Sequence, residues 1–189
     1  MVSGSSLIRS ARKTLRSVLR RFTKRAAAII WVTTTGGLFR FKSASSFAED
    51  RHGNIWLGFY EGGIARFSNG RFSTFNESAP KELSDGLVGD LHTDKMGRLW
   101  LASSINGLYR IDDTGANVPQ FVRWTINDGL SSNSVRTITE DRFGKIYLGT
   151  VRGVDRLAPD TNRIKHYTIN DGLAGDFVND SLCDKNGVL

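Results

Sequence analysis

Four aspartates recur along the 189-residue chain, Asp50, Asp94, Asp141 and Asp184, separated by 44, 47 and 43 residues. A repeated carboxylate could ligate calcium, but a calcium loop wants several oxygen donors at alternating positions. The stretch "DRHGN" at Asp50 lacks them. Trp56, Trp100 and Tyr147 share one repeat position, with Trp31 as a further copy, and such rings could stack on carbohydrate. Arg40, Arg66, Arg110 and Arg156 share another position, which could form an anion-binding ring. His52, His92 and His166 fall at unrelated repeat positions, and the lone Cys183 has no metal-ligand spacing around it. No Ser-His-Asp order, carboxylate pair or phosphate-binding loop can be defended, so no catalytic residue, metal ligand or cofactor is assigned and the chain is not expected to be an enzyme.

Recurrence in every unit favours structural roles for these side chains. The aromatic rings are expected to pack between repeats and the aspartates to cap turns. The arginines are expected to pair with a turn aspartate of the repeat, and Cys183 reads as a small core residue.

The elements that must position them follow from the repeat itself. Asp-x-x-Gly makes a tight reversal, since the carboxylate accepts from nearby backbone amides and Gly takes positive φ. The strands that follow, "IWL", "LWL" and "IYL", are apolar on both faces and so must be covered on both. Counting the strand that leads into the turn ("VGDLHT", "VRTITE", "VNDSLC") as the first and the central one as the second, each unit adds a third strand ("GGIARF", "NGLYRI", "RGVDRL") and a fourth ("RFSTF", "FVRWT", "IKHYT"). Four short strands per unit, with both sheet faces apolar, describe a propeller blade. "DGL" occurs at Asp85, Asp128 and Asp171, but aligning Leu83, Leu130 and Leu173 keeps the strands in register. Only the last two copies of "DGL" are then equivalent. The expected fold is all-β: a partial β-propeller of about three complete four-stranded blades over residues 29–189, with partial blades at both ends.

The net charge of +7 conceals an asymmetry. Residues 1–46 hold ten basic side chains and no acid, whereas the rest carries 16 basic against 19 acidic groups. A mildly acidic body gives no reason to expect a nucleic-acid partner. Residues 1–28 read as a basic amphipathic helix or disordered arm: Leu7, Ala11, Leu15, Val18, Leu19 and Phe22 form one apolar stripe, with arginines filling the other side. Such a segment could lie on an anionic membrane, act as a targeting segment, or be a solvated leader. "RRFTK" before "AAAIIWV" has the look of a twin-arginine export signal, although the apolar run is short and no cleavage site is clear. No run approaches the ~20 apolar residues of a membrane-spanning helix.

The repeats resemble the two-component regulator propeller family. "SVRTITEDRFGKIYLGTVRGVDRL" (Ser134–Leu157) and "FAEDRHGNIWLGFYEGGIARF" (Phe47–Phe67) match that family's pattern nearly position by position, and Leu91–Ile111 matches it more loosely. The resemblance implies the periplasmic sensor part of a bacterial hybrid histidine kinase, binding an extracellular small molecule or glycan. It also implies further blades and a kinase or output domain in a longer parent. A protein-interaction propeller and a propeller enzyme are the alternatives. Two departures stand out. Only eight residues separate Phe41 from Asp50, where the later interval from Phe67 to Asp94 holds 26, so an outer strand and connector are missing there. The sequence also stops at "NGVL", which suggests a fragment whose exposed blade edges could self-associate.

Binding residues are sought where the repeats differ, on turns held by a rigid scaffold. The turns between second and third strands give Tyr60, Glu61, Asn106 and Arg152 as the candidate contact set.

Overall fold

Asp50, Asp94 and Asp141 each fold their own hairpin, and Asp184 lies outside the described residues. Oδ1 of Asp50 accepts the backbone N–H groups of His52 and Asn54, both at 2.9 Å. Asp94 does the same for Met96 and Arg98, and Asp141 for Phe143 and Lys145. Gly53, Gly97 and Gly144 complete the reversals at φ of 78°, 80° and 77°, a region that L side chains rarely adopt.

The computed structural model describes residues 28–34, 37–75 and 79–181. They form three antiparallel sheets. The first contains β1 (Ala28–Thr34), β2 (Gly37–Glu49), β3 (Ile55–Phe59), β4 (Ile64–Ser68) and β5 (Arg71–Thr74). The second contains β6 (Val88–Thr93), β7 (Leu99–Ser103), β8 (Gly107–Ile111) and β9 (Phe121–Trp124). The third contains β10 (Val135–Glu140), β11 (Ile146–Thr150), β12 (Gly153–Ala158) and β13 (Arg163–Tyr167). Within each sheet the strands follow chain order, as in a meander. The 3-10 turns Lys81–Ser84, Ile126–Asp128 and Ile169–Asp171 lie in the connectors. No helix among the described residues is long and apolar enough to cross a membrane.

Alternation along the central strands gives each sheet a forward and a backward face. Trp56, Ile64, Phe75 and Leu83 on the forward face of the first sheet pack against Leu91, Leu99, Leu101 and Ile111 of the second. Trp100, Leu108, Trp124 and Leu130 repeat the arrangement against Val135, Ile138, Ile146 and Leu148 of the third. Both tryptophans are fully buried, so the expected packing of aromatic rings between repeats holds. The sheets therefore stack side by side as blades. On the third sheet the same forward face opens into a cavity of about 540 Å³ bounded by Tyr147, Val154, Tyr167, Leu173 and Val178.

The innermost strands are stitched by polar side chains. Ser46 Oγ donates to the Val88 carbonyl at 3.0 Å, and Asp90 Oδ2 accepts the N–H of Ile138 at 2.9 Å. Thr139 Oγ1 donates to the Ser181 carbonyl at 3.1 Å. Leu83 and Leu130 are buried at equivalent places, 1% and 4% exposed, which supports the leucine alignment of the connectors.

The partial blade expected before Asp50 is joined to the first sheet, which counts five strands. Trp31 faces Arg40 across the β1–β2 ladder in the register that pairs Trp56 with Arg66 and Trp100 with Arg110. Yet β2 runs on unbroken, its first half paired with β1 and its second half with β3, past a register shift at Ala44/Ser46. One 13-residue strand thus replaces the outer strand and connector that the short interval lacks. At the other end, residues 178–181 take the place of the next inner strand, with Val178 N–H donating to the Thr150 carbonyl at 3.0 Å. The basic arm, most of the export-like segment and Cys183 lie outside the described residues.

Candidate functional site

A meander places the Asp-x-x-Gly turns and the outer turns at one end of the stack. The turns between second and third strands and the inter-blade connectors fall at the other end. That second rim is rigid because every such turn is tied to the connector that follows it. Gly63 N–H donates to Leu83 O, Gly107 N–H to Asn133 O, and Gly153 N–H to Asp176 O. At Gly107, φ is 85° and a Cβ would lie 2.1 Å from the Trp124 carbonyl oxygen, so only glycine fits.

Two connectors share a further device. Thr125 Oγ1 accepts the N–H of Asn127, while Asp128 Oδ2 accepts the N–H of Thr125 at 2.9 Å. This reciprocal cap satisfies the orphan amides of the short turn. Asn133 Oδ1 accepts the N–H of Ile126. Thr168, Asp171 and Asp176 repeat all three contacts, and Gly129 and Gly172 close the turns at φ 101°. Asp85 makes no such cap, which confirms that its "DGL" is not equivalent to the other two. The turns leave Ile126 and Ile169 more than half exposed on the rim.

The four candidate residues sit in corresponding turns of three consecutive sheets. Tyr60 (41% exposed) and Glu61 lie between β3 and β4, and both face solvent. Arg152, between β11 and β12, is also exposed. Asn106, between β7 and β8, is committed to the scaffold: its Nδ2 donates to the carbonyls of Glu82 and Asp85, and its own carbonyl accepts from Arg123 Nε at 3.0 Å. Arg123 in turn lies over the Tyr109 ring and 3.7 Å from Glu82.

At the opposite rim the aspartates do more than cap. Oδ2 of Asp50 accepts the indole N–H of Trp56 at 3.0 Å, and Oδ2 of Asp94 accepts that of Trp100 at 2.8 Å. In the third blade the Tyr147 hydroxyl takes this place at 3.4 Å. Burial pushes the Asp50 carboxyl up, but the bonds from Trp56 and Asn54 outweigh it and hold the group below its ordinary 3.8. Burial also raises the Tyr147 hydroxyl, against the lowering effect of its bond with Arg156.

Neither Arg66 nor Arg110 pairs with a turn aspartate among the described residues. Arg66 Nη1 donates to the carbonyls of Thr114 (2.8 Å) and Ala116 (2.7 Å), on the outer turn of the next blade. Its guanidinium lies beside the stacked Trp56–Phe75 pair, 5.4 and 5.3 Å from the two ring centres, which are themselves 5.4 Å apart. Arg110 sits likewise beside Trp100 and Trp124 and pairs with Asp112 at 2.6 Å. Each cation is attracted to two aromatic rings at once and is thereby held away from the turn aspartate. Arg98 rather than Arg110 meets Asp94, at 2.6 Å.

Two other features escaped the sequence reading. The basic residues after the first two turn aspartates bridge to the next blade: Arg51 Nη1 reaches Met96 O at 3.4 Å, and Lys95 Nζ reaches Asp141 O at 2.7 Å. Their signal was present as the basic residue at Arg51, Lys95, Arg142 and Lys185. Asp155, fully buried, accepts the N–H of Ser131 at 2.8 Å and lies 2.7 Å from His166 Nδ1. Nothing in the repeat marks it, because Ala65 and Tyr109 hold the corresponding places in the other blades. Among the described residues no three His, Cys, Asp or Glu side chains group as a metal site.

Comparison with known proteins agrees with this geometry. Residues 129–152 match the family model "Two component regulator propeller". No curated protein matches the chain by sequence. Among solved structures, a protein described as the extracellular domain of a hybrid two component system from B. thetaiotaomicron aligns with a TM-score of 0.67 at 19% identity, over 88% of this chain and 25% of its own. PorZ of Porphyromonas gingivalis, a surface component of the type-IX secretion system, aligns at 0.52 and 12% identity, over 85% of this chain and 31% of its own. A Bacteroides thetaiotaomicron protein of unknown function aligns at 0.50 and 12% identity, over 76% and 43%. The chain thus spans about a quarter of the length of the first of these neighbours. Residues 129–152 thus match a two-component regulator propeller repeat, and the fold around them is that of stacked propeller blades.

Proposed function

We propose that this chain is the ligand-sensing part of a bacterial two-component signalling protein, that it works in the periplasm, and that it binds rather than transforms its ligand. The observation that carries the reading is the contrast between the two rims. Around the Asp-x-x-Gly turns, Asp50, Asp94 and Asp141 repeat the same turn contacts, whereas the turns holding Tyr60, Glu61 and Arg152 vary and leave those side chains exposed on a fixed frame. A ring, a carboxylate and a guanidinium suit a polyhydroxylated ligand such as a glycan, which offers both a stackable face and hydroxyls. The family match supports a signalling parent in which further blades and an output domain complete the molecule.

A protein partner is the second reading, and the exposed Ile105, Ile126 and Ile169 on the same rim favour it. Calorimetry against a glycan panel, using a longer parent with its full set of blades, separates the two. Tyr60→Ala and Arg152→Ala are expected to weaken glycan binding about tenfold or more each, as for truncated contact residues. If both variants bind every ligand as the parent does, the rim assignment is wrong. If binding instead follows Ile126→Ser and Ile169→Ser and needs a protein, the second reading stands.

A further inference from the structure

Asp155 stands opposite His166 across the β12–β13 ladder, and opposite Leu148 on its other side. Leu148 belongs to the core shared with the second sheet, so the carboxylate is enclosed between two blades. The other blades do without it. The matching cross-strand pair is Ala65 with Thr74 in the first sheet and Tyr109 with Arg123 in the second. Blade stacking therefore does not require an acid at this place, and a wholly buried carboxylate is costly unless its partners are good.

Those partners define a chemical state. Ser131 N–H donates to Asp155 Oδ2 at 2.8 Å, and His166 Nδ1 lies 2.7 Å from Oδ1. A carboxylate has no proton to give, so the neutral imidazole carries its own on Nδ1 and keeps the lone pair on Nε2. The ring is thus held at one end and open at the other: the His166 side chain is 46% exposed, while that of Asp155 has no exposed surface. A carboxylate that fixes the tautomer and direction of an imidazole is how proteins hold a histidine ready to engage a ligand. The place is also right. His166 is the last residue but one of β13, beside the connector that forms the variable rim. Asp155 lies three residues from Arg152, about 10 Å along an extended chain.

We propose that His166 is a further contact of the ligand rim, accepting a hydrogen bond at Nε2 from a ligand N–H or O–H, and that Asp155 is the residue that positions it. The inference rests on the ligand-binding reading above and adds to it a donor group that the ligand must carry.

Two variants keep the buried pair and change what the ring presents. In Asp155→Asn the amide oxygen still accepts the Ser131 N–H, while the amide nitrogen donates to Nδ1 and moves the imidazole proton to Nε2. In His166→Asn the amide still donates to Asp155, but the outer nitrogen is gone. Imidazole nitrogen shifts of the full chain should show the proton on Nδ1, and on Nε2 in Asp155→Asn. Calorimetry uses the longer parent and a glycan panel with both N-acylated and fully hydroxylated members. Each variant is expected to weaken the best-bound member about three- to tenfold, the worth of one hydrogen bond. Asp155→Asn should penalise N-acylated members more, because a hydroxyl can turn round and accept from Nε2–H whereas an amide N–H cannot. If both variants bind the whole panel as the parent does, His166 and Asp155 only link the blades and the inference is wrong, while the rim reading through Tyr60 and Arg152 stands. If His166→Asn alone weakens binding, or the parent carries its proton on Nε2, the positioning role of Asp155 is wrong. If no panel member binds the parent at all, the rim reading fails and this inference with it.

Discussion

At the scale of single residues, the chain's most repeated chemistry turns out to be internal. One oxygen of Asp50 and of Asp94 builds the reversal and the other receives the indole N–H of the next strand, so the turn fixes the aromatic side chain on which blade packing depends. Trp100→Phe removes the indole N–H from Asp94 together with part of a fully buried ring, and chemical denaturation should show a loss of at least about 1.5–3 kcal/mol, the usual worth of a hydrogen bond to a charged group. Acid dependence follows from Asp50. Its folded carboxyl titrates below its ordinary value of 3.8, so the unfolded chain takes up that proton first. The stability it contributes is complete above the ordinary value and fades as pH falls through the lower, folded one. A denaturation series across acidic pH should therefore slope less in Asp50→Asn than in the parent. The turn role was legible in the Asp-x-x-Gly spacing. The ring-to-carboxylate bond and the partner of Arg66 were not, because each depends on a three-dimensional approach, in the second case from a turn 48 residues away.

At the scale of strands and turns, spacing alone predicted much. The period, the central strand and the connector leucines followed from residues that recur in register, and Leu83 and Leu130 lie in equivalent clusters. The continuous β2 was not predictable, since a missing outer strand and a strand that serves two partners leave the same short interval in the sequence. Close packing of blades shows at one repeat position. A Cβ on Gly149 would come 2.4 Å from Thr137 Cγ2 and 2.8 Å from Val178 Cγ1, and one on Gly58 would meet Val88 Cγ1 at 2.6 Å. The second blade holds Ala102 there, fully buried beside Val135. Gly58→Ala should destabilise by about 1–3 kcal/mol through overpacking. Ala102→Gly should cost about 0.5–1 kcal/mol through chain entropy. Thermal melts of the two variants measure the difference. In the connectors, Thr125→Ala removes a reciprocal cap and should cost about 1 kcal/mol.

At the scale of the molecule, stacking explains why one rim is conserved in form from blade to blade and the other is free to vary. Bridges such as Lys95 to Asp141 and Arg66 to Thr114 bind neighbouring sheets at one end, and the middle turns are pinned to their connectors at the other. Tyr60, Glu61 and Arg152 were visible in the sequence as departures from the repeat. The structural duty of Asn106 was not, because it departs from the repeat for the sake of the carbonyls of Glu82 and Asp85. All of this requires that the central aromatic strands of the first two sheets be covered by the sheet that follows. A double-mutant cycle between Trp100 and Leu148, on facing sheets, tests that most directly. Side chains that share one core should show a coupling of about 1 kcal/mol or more when both are cut to Ala. Losses that add to within about 0.3 kcal/mol would mean that the two residues do not meet, and the stacked-blade account would fail.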